Sequence, residues 1–233
     1  MKALLYKEFK LSMHYMCYIF VALFPLMILI PSYPIAIGFI YILSCYPVLF
    51  LGANKGQQSN DLLFSTLLPV RKKDIVLARI FTVLFMQLAF IALMAALLPL
   101  AIYLQNSMVA AAIAEDPNAT GPVTPGLPLQ AFGSVVGIAI VGYALADLIF
   151  FPIYYKHGKS IVASTLCTIL GFLVYLSIFT LGLPYAIPDG AYIKALTIPW
   201  VQIVVVVSAV AISFVLHLVN YKVSSKRLEQ VDL

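Results

Sequence analysis

The chain has 233 residues, of which 63% are hydrophobic and only 10% charged. A soluble domain carries about a quarter charged residues, so there is too little polar surface here to cover a water-soluble globule, and the natural solvent is a bilayer. The formal net charge is +5, and its placement along the chain, traced below, assigns it to a membrane surface rather than to nucleic acid.

In residues 1–14, Leu4, Leu5, Phe9 and Met13 can share one helical face, with Lys2, Lys7, Lys10 and His14 mainly elsewhere. This pattern predicts a helix lying in the headgroup plane. A basic start before an apolar run also outlines a signal peptide. The stretch after Pro31 has no A-x-A site and continues into a second apolar run, so this segment is expected to be retained.

A span needs roughly 20 mostly apolar residues. Windows 15–31, 34–53, 80–104, 131–153, 161–183 and 196–219 qualify. Only helices and closed barrels satisfy their backbone in lipid, and runs this long without strict alternation choose the helix. The expected fold is therefore all-α: one polytopic membrane domain over 1–233, with six transmembrane helices and an N-terminal interfacial helix. Basic residues fix its orientation. Lys2, Lys7, Lys10, Lys55, Arg71, Lys72, Lys73, Arg79, Lys156, Lys159, Lys222, Lys226 and Arg227 fall on one side, and only Lys194 on the other, with Glu115, Asp116 and Asp189. The positive-inside rule then puts both termini in the cytoplasm. The outer loop 105–130, rich in Pro and Gly, reads as irregular with one short helix through 108–114.

Chemistry-bearing motifs are absent from the sequence. There is no H-E-x-x-H, no G-x-S-x-G and no G-x-x-x-x-G-K-[ST], so any ATP hydrolysis belongs to another chain. Cys17, Cys45 and Cys167 lie in apolar stretches without CxxC spacing and read as small buried hydrophobes. His14, His157 and His217 are far apart in sequence and read as residues of the membrane boundary rather than ligands.

The cytoplasmic segment 54–79 is the most informative. Ser59, Asn60 or Asp61 can cap a short helix carrying Leu62, Leu63, Phe64, Leu67 and Leu68, and Pro69 ends it. Arg71, Lys72 and Lys73 follow, and Asp74 suits the first turn of the next helix. From these residues alone an ordinary positive-inside loop is an equal reading. The string Ser65-Thr66-Leu67-Leu68-Pro69-Val70-Arg71-Lys72-Lys73-Asp74-Ile75-Val76-Leu77-Ala78-Arg79 resembles the cytoplasmic signature of type-two ABC exporter permeases: Leu-Pro-Val, a basic pair, an acid, and an apolar run ending in Lys or Arg. The resemblance covers the whole chain in architecture and about 25 residues in motif, and the subgroup it most resembles is the bacterial exporters of amphipathic or antimicrobial peptides such as phenol-soluble modulins. Many relatives carry acids where this chain has Asn54-Lys55. The resemblance implies two paired permease subunits, identical ones here, each docking a separate ATPase that binds ATP and Mg. It makes Asp61, Leu62, Leu63, Phe64, Leu67, Arg71, Lys72, Lys73 and Asp74 the ATPase-coupling residues, with the short helix seated in an ATPase groove.

Asp147 is the one acid well inside an apolar window. Insertion scales charge roughly 2.5–3.5 kcal/mol for an ionised carboxylate near a bilayer centre. Two readings stay open: a residue of a substrate pathway or a partner of a base, and an interfacial acid reaching water beside Lys156 or Lys159. Phe150, Phe151, Tyr154 and Tyr155 can line a route for an amphipathic substrate. Gly133 and Gly137 form a G-x-x-x-G that permits close helix packing, expected within the subunit. Two other function classes compete: an integral membrane enzyme acting on lipid, which needs a polar cluster at one membrane depth, and a non-catalytic assembly or immunity protein, whose loop would bind no ATPase.

Overall fold

The computed structural model describes residues 2–12, 15–30, 38–39, 70–115, 127–157, 161–187 and 190–230. Among these residues the chain is helical with no strand. Helix α1 (Lys2–Lys7) runs into a π-helical turn, Glu8–Ser12. Helix α2 (Tyr15–Leu23) tightens into a 3-10 segment, Phe24–Leu29, with Pro25 at its start. The long helices are α3 (Lys72–Glu115), α4 (Phe132–His157), α5 (Ile161–Ser177) and, after the short α6 (Leu183–Ala186) and α7 (Ala191–Thr197), α8 (Pro199–Glu229).

Among the described residues, four helical stretches are long and apolar enough to cross a membrane: Lys72–Ala111, Leu129–Lys156, Val162–Ala186 and Pro199–Glu229. They match the third to sixth expected spans. The first expected span is a shorter apolar helix, Met16–Leu29, and the second lies outside the described residues apart from Gly38 and Phe39. The expected coupling helix, with Asp61, Leu62, Leu63, Phe64 and Leu67, also lies outside them.

α3 corrects the expectation for the outer loop. Its 44 residues form one helix, about 66 Å long at 1.5 Å per residue, so 105–115 continues the third span instead of starting an irregular loop. The reason is local: this stretch holds Ala110, Ala111, Ala112 and Ala114 and no Gly or Pro, and alanine is the best helix former. Pro99 inside α3 and Pro152 inside α4 are accommodated without ending either helix, as is common in transmembrane helices. α8 begins at Pro199 after the extended Ile198, where proline's missing N–H costs nothing.

α4 is the hub. Of its span window 72% is buried, against 6% for that of α8. It packs against α8 on one side and α5 on another. The G-x-x-x-G of α4 sits on the α8 seam: a Cβ on Gly137 would lie 2.7 Å from Val205 Cγ1, and one on Gly133 would meet Gln202. The close approach is thus within the subunit, as expected. Gln202 ties this end of the bundle together, accepting from the Gly133 N–H at 3.1 Å and donating to the Gln130 carbonyl at 2.7 Å. Tyr143 of α4 donates to the Phe39 carbonyl at 2.8 Å, which anchors the described fragment of the second segment to the hub.

The other end of the bundle gathers the basic residues. Lys72 Nζ donates to the Leu228 carbonyl at 3.5 Å, Lys73 pairs with Glu229 at 3.5 Å, and Arg227 donates to the Pro152 carbonyl at 3.2 Å. The start of α3, the end of α4 and the end of α8 therefore share one face of the molecule. Among the cysteines, Cys17 is buried as expected, whereas Cys167 is exposed on α5, on the side turned away from the hub.

Candidate functional site

Two polar clusters are built into this apolar bundle. The first joins the N-terminal segment to the signature. Arg79, which ends the signature string, is 2% exposed. Its Nε lies 3.6 Å from Glu8 Oε1, and Lys7 Nζ lies 3.7 Å from the same oxygen. Arg79 also donates to Tyr154 Oη at 3.2 Å, with its guanidinium over the Tyr154 ring. Lys7 was expected on the polar side of an interfacial helix; instead it is buried with Glu8. The physical reason is the shared carboxylate: Glu8 lies within ion-pair reach of both cations and offsets one of their two charges, and Leu4 is buried and Phe9 partly buried nearby, Phe9 meeting Phe85 edge to face at 5.3 Å. α1 packs against α3 while its Tyr6 stays exposed.

The aromatic residues proposed for a substrate route belong to this region. Phe150, Phe151, Tyr154 and Tyr155 are all buried. Phe150 stacks on Tyr154 and Phe151 on Tyr155, one turn apart, with centroids at 5.8 and 6.1 Å. In this single chain they are core, and Tyr154 meets the Arg79 side chain.

The second cluster surrounds Asp147. Its carboxylate is fully buried, ten residues before the end of α4 at His157, or about 15 Å along the helix. Gln87 of α3 donates to both carboxylate oxygens, at 3.3 and 3.2 Å. His217 of α8 brings Nε2 to 3.9 Å from Oδ2, within ion-pair reach but longer than a hydrogen bond. The interfacial reading of Asp147, reaching water beside Lys156 or Lys159, is therefore replaced by an intramolecular one. His217 is corrected with it: it is a partner of the acid inside the bundle, not a boundary residue. The signal for it lay in α8 itself. Ser213, His217, Asn220 and Ser224 follow one another at spacings of four, three and four, which is one helical face, and Ser213, Asn220 and Ser224 are buried. Gln87 likewise stands in the apolar centre of α3.

This cluster supplies the polar group at one depth that a lipid-modifying enzyme would need. Its acid, however, has no exposed surface, so nothing outside the protein reaches it in this conformation. No group of three or more His, Cys, Asp or Glu suited to a metal ion occurs among the described residues.

Of the expected coupling residues, Arg71, Lys72, Lys73 and Asp74 are described. Arg71 and Lys73 are exposed, and Asp74 lies in the first turn of α3 with its N–H donating to the Arg71 carbonyl at 2.9 Å. Lys72 and Lys73 engage the end of α8, as described above. Comparison of the chain with protein-family models, with curated proteins and with solved structures finds no match.

Proposed function

We propose that the chain is the membrane-spanning permease subunit of an ABC exporter. Two identical copies work with a separate ATPase, which binds ATP and Mg, to move an amphipathic peptide across the plasma membrane, with both termini in the cytoplasm. The observation that carries the reading is the join between signature and bundle. The second half of the signature string, Lys72 to Arg79, is the beginning of α3, a single helix from Lys72 to Glu115, and its last residue, Arg79, is buried against Glu8 and Tyr154. A loop that transmits movement needs something stiff to push on. A displacement of 70–74 would be passed directly to α3 and, through Arg79, to the N-terminal segment and α4. The gathering of basic ends on one face supports the assigned orientation.

The test uses the apolar loop helix. Four large apolar residues, Leu62, Leu63, Phe64 and Leu67, lie within six positions, and burying one such side chain contributes roughly 1.5–3 kcal/mol. Phe64→Asp is expected to leave the chain inserted but to weaken ATPase docking about tenfold or more. Co-purification of the two chains in mild detergent, with ATP hydrolysis assayed on the recovered complex, reads this out. Full retention of both by the variant removes the coupling role of this helix.

A further inference from the structure

Helical spacing divides α8 into two faces. Ala209, Ser213, Asn220 and Ser224 are buried and mark the packed face. The opposite face carries Val204, Ala211, Val215, Leu218, Lys222 and Lys226, at steps of three, four or seven, and all six are exposed. This outward row is apolar along the span and cationic at one end. Trp200 and Tyr221 stand about 31 Å apart along the helix at 1.5 Å per residue. That matches a hydrocarbon core of about 30 Å, and aromatic residues of this kind mark its two interfaces. Lys222 therefore stands at headgroup depth, with Lys226 about 6 Å further along the axis. From Lys222 the row runs back through Leu218 and Val215 to Ala211 over about 16 Å, which is about half the core, the depth of one leaflet's acyl chains.

The charge at this end is not neutralised within the protein. Among the described residues Lys222 and Lys226 make no ion pair. Lys73, from the start of α3, pairs with Glu229 one turn beyond Lys226, and Arg71 is exposed. Residues 70–74 and 220–230 hold Arg71, Lys72, Lys73, Lys222, Lys226 and Arg227 against the acids Asp74 and Glu229, so positive charge is in excess where α3 begins and α8 ends. The outward row of α3 differs. Its Phe81, Phe85 and Leu88 are exposed, and the same spacing carries that row on to Leu77 and to an acid, Asp74.

We propose that the outward face of α8 binds an anionic phospholipid, with its phosphate held by Lys222 and Lys226 and its acyl chains laid along Leu218, Val215 and Ala211. A zwitterionic lipid covers the same apolar row but brings a cation of its own to the lysines, so the site selects for net negative charge. The inference depends on the chain being embedded in a membrane and not on the exporter reading.

The experiment is native mass spectrometry of the purified full chain in mild detergent, titrated with phosphatidylglycerol or with phosphatidylcholine. The wild type is expected to bind phosphatidylglycerol more tightly. Each cation near an anionic surface contributes about a fivefold gain in affinity. Lys222→Gln combined with Lys226→Gln is therefore expected to weaken phosphatidylglycerol binding roughly thirtyfold and to leave phosphatidylcholine binding unchanged. Both lysines are exposed, so the unfolding midpoint of the double variant should equal that of the wild type. Lys194→Gln, which removes an exposed cation from α7, is expected to change neither lipid. Equal binding of the two lipids by the wild type overturns the proposal, as does wild-type phosphatidylglycerol binding by the double variant or an equal loss in Lys194→Gln. A double variant that keeps its lipid and changes its oligomeric mass assigns the face to a second copy of the chain, and overturns it as well.

Discussion

Removing Glu8 should cost more than removing Arg79, although the two are partners. The cluster holds two cations, Lys7 and Arg79, and one acid, and all three are buried, with Glu8 Oε1 at 3.7 and 3.6 Å from them. At an effective dielectric constant near 20, a pair at such a separation attracts by about 4 to 5 kcal/mol before desolvation is subtracted. Arg79→Met leaves Lys7 and Glu8 as a neutral pair and forfeits mainly one charge-assisted contact and the bond to Tyr154, roughly 1–3 kcal/mol. Glu8→Gln removes the carboxylate that both buried cations share, roughly 3–5 kcal/mol. The double variant should be milder than the sum of the two, because the repulsion between Lys7 and Arg79 that Glu8→Gln exposes is absent once Arg79 is also neutral. Thermal or denaturant unfolding of the four proteins in one detergent gives the cycle. The reasoning is refuted if Arg79→Met is the costlier single change, or if the two substitutions simply add.

Gly137→Ala should destabilise the bundle by about 1–3 kcal/mol, since the added Cβ would lie 2.7 Å from Val205 Cγ1 and 3.1 Å from the Val205 carbonyl oxygen; unfolding midpoints of the purified chain check it. In a cysteine-free background, cysteines at Asn118 and Gly190 should react with an impermeant thiol reagent in intact cells, and cysteines at Ser59 and Lys226 should not. Lys226 is chosen because it is exposed, whereas its neighbour Ser225 is buried. Labelling at Ser59 from outside would invert the orientation and remove the coupling loop.

The parts of the fold legible in the sequence were those that follow from length and hydropathy. The existence of the third to sixth spans is legible because an apolar run of that length has few alternatives; the fourth and fifth agree closely with the expected bounds, whereas the third runs Lys72–Ala111 against 80–104 and the sixth Pro199–Glu229 against 196–219, and the spacing of Gly133 and Gly137 points to close packing. What was not legible depended on partners distant in sequence. Lys7 reads as a surface charge because helical spacing shows which residues share a face and not what that face meets. His217 was set aside by comparison with the other histidines, whereas its meaning lay in Asp147, on a different helix 70 positions away, and in Gln87 on a third. The continuation of α3 through 105–115 was hidden by the prolines that follow it. Alanine-rich sequence carries little hydropathy signal, yet it keeps a helix going.

The measurement that bears most directly on the exporter reading is transport. Inside-out vesicles from cells that express the chain with its natural partners should accumulate a fluorescent cationic amphipathic peptide when ATP is added. Vesicles from cells lacking the chain, or carrying Phe64→Asp, should not. Equal ATP-dependent accumulation with and without the chain would contradict the account.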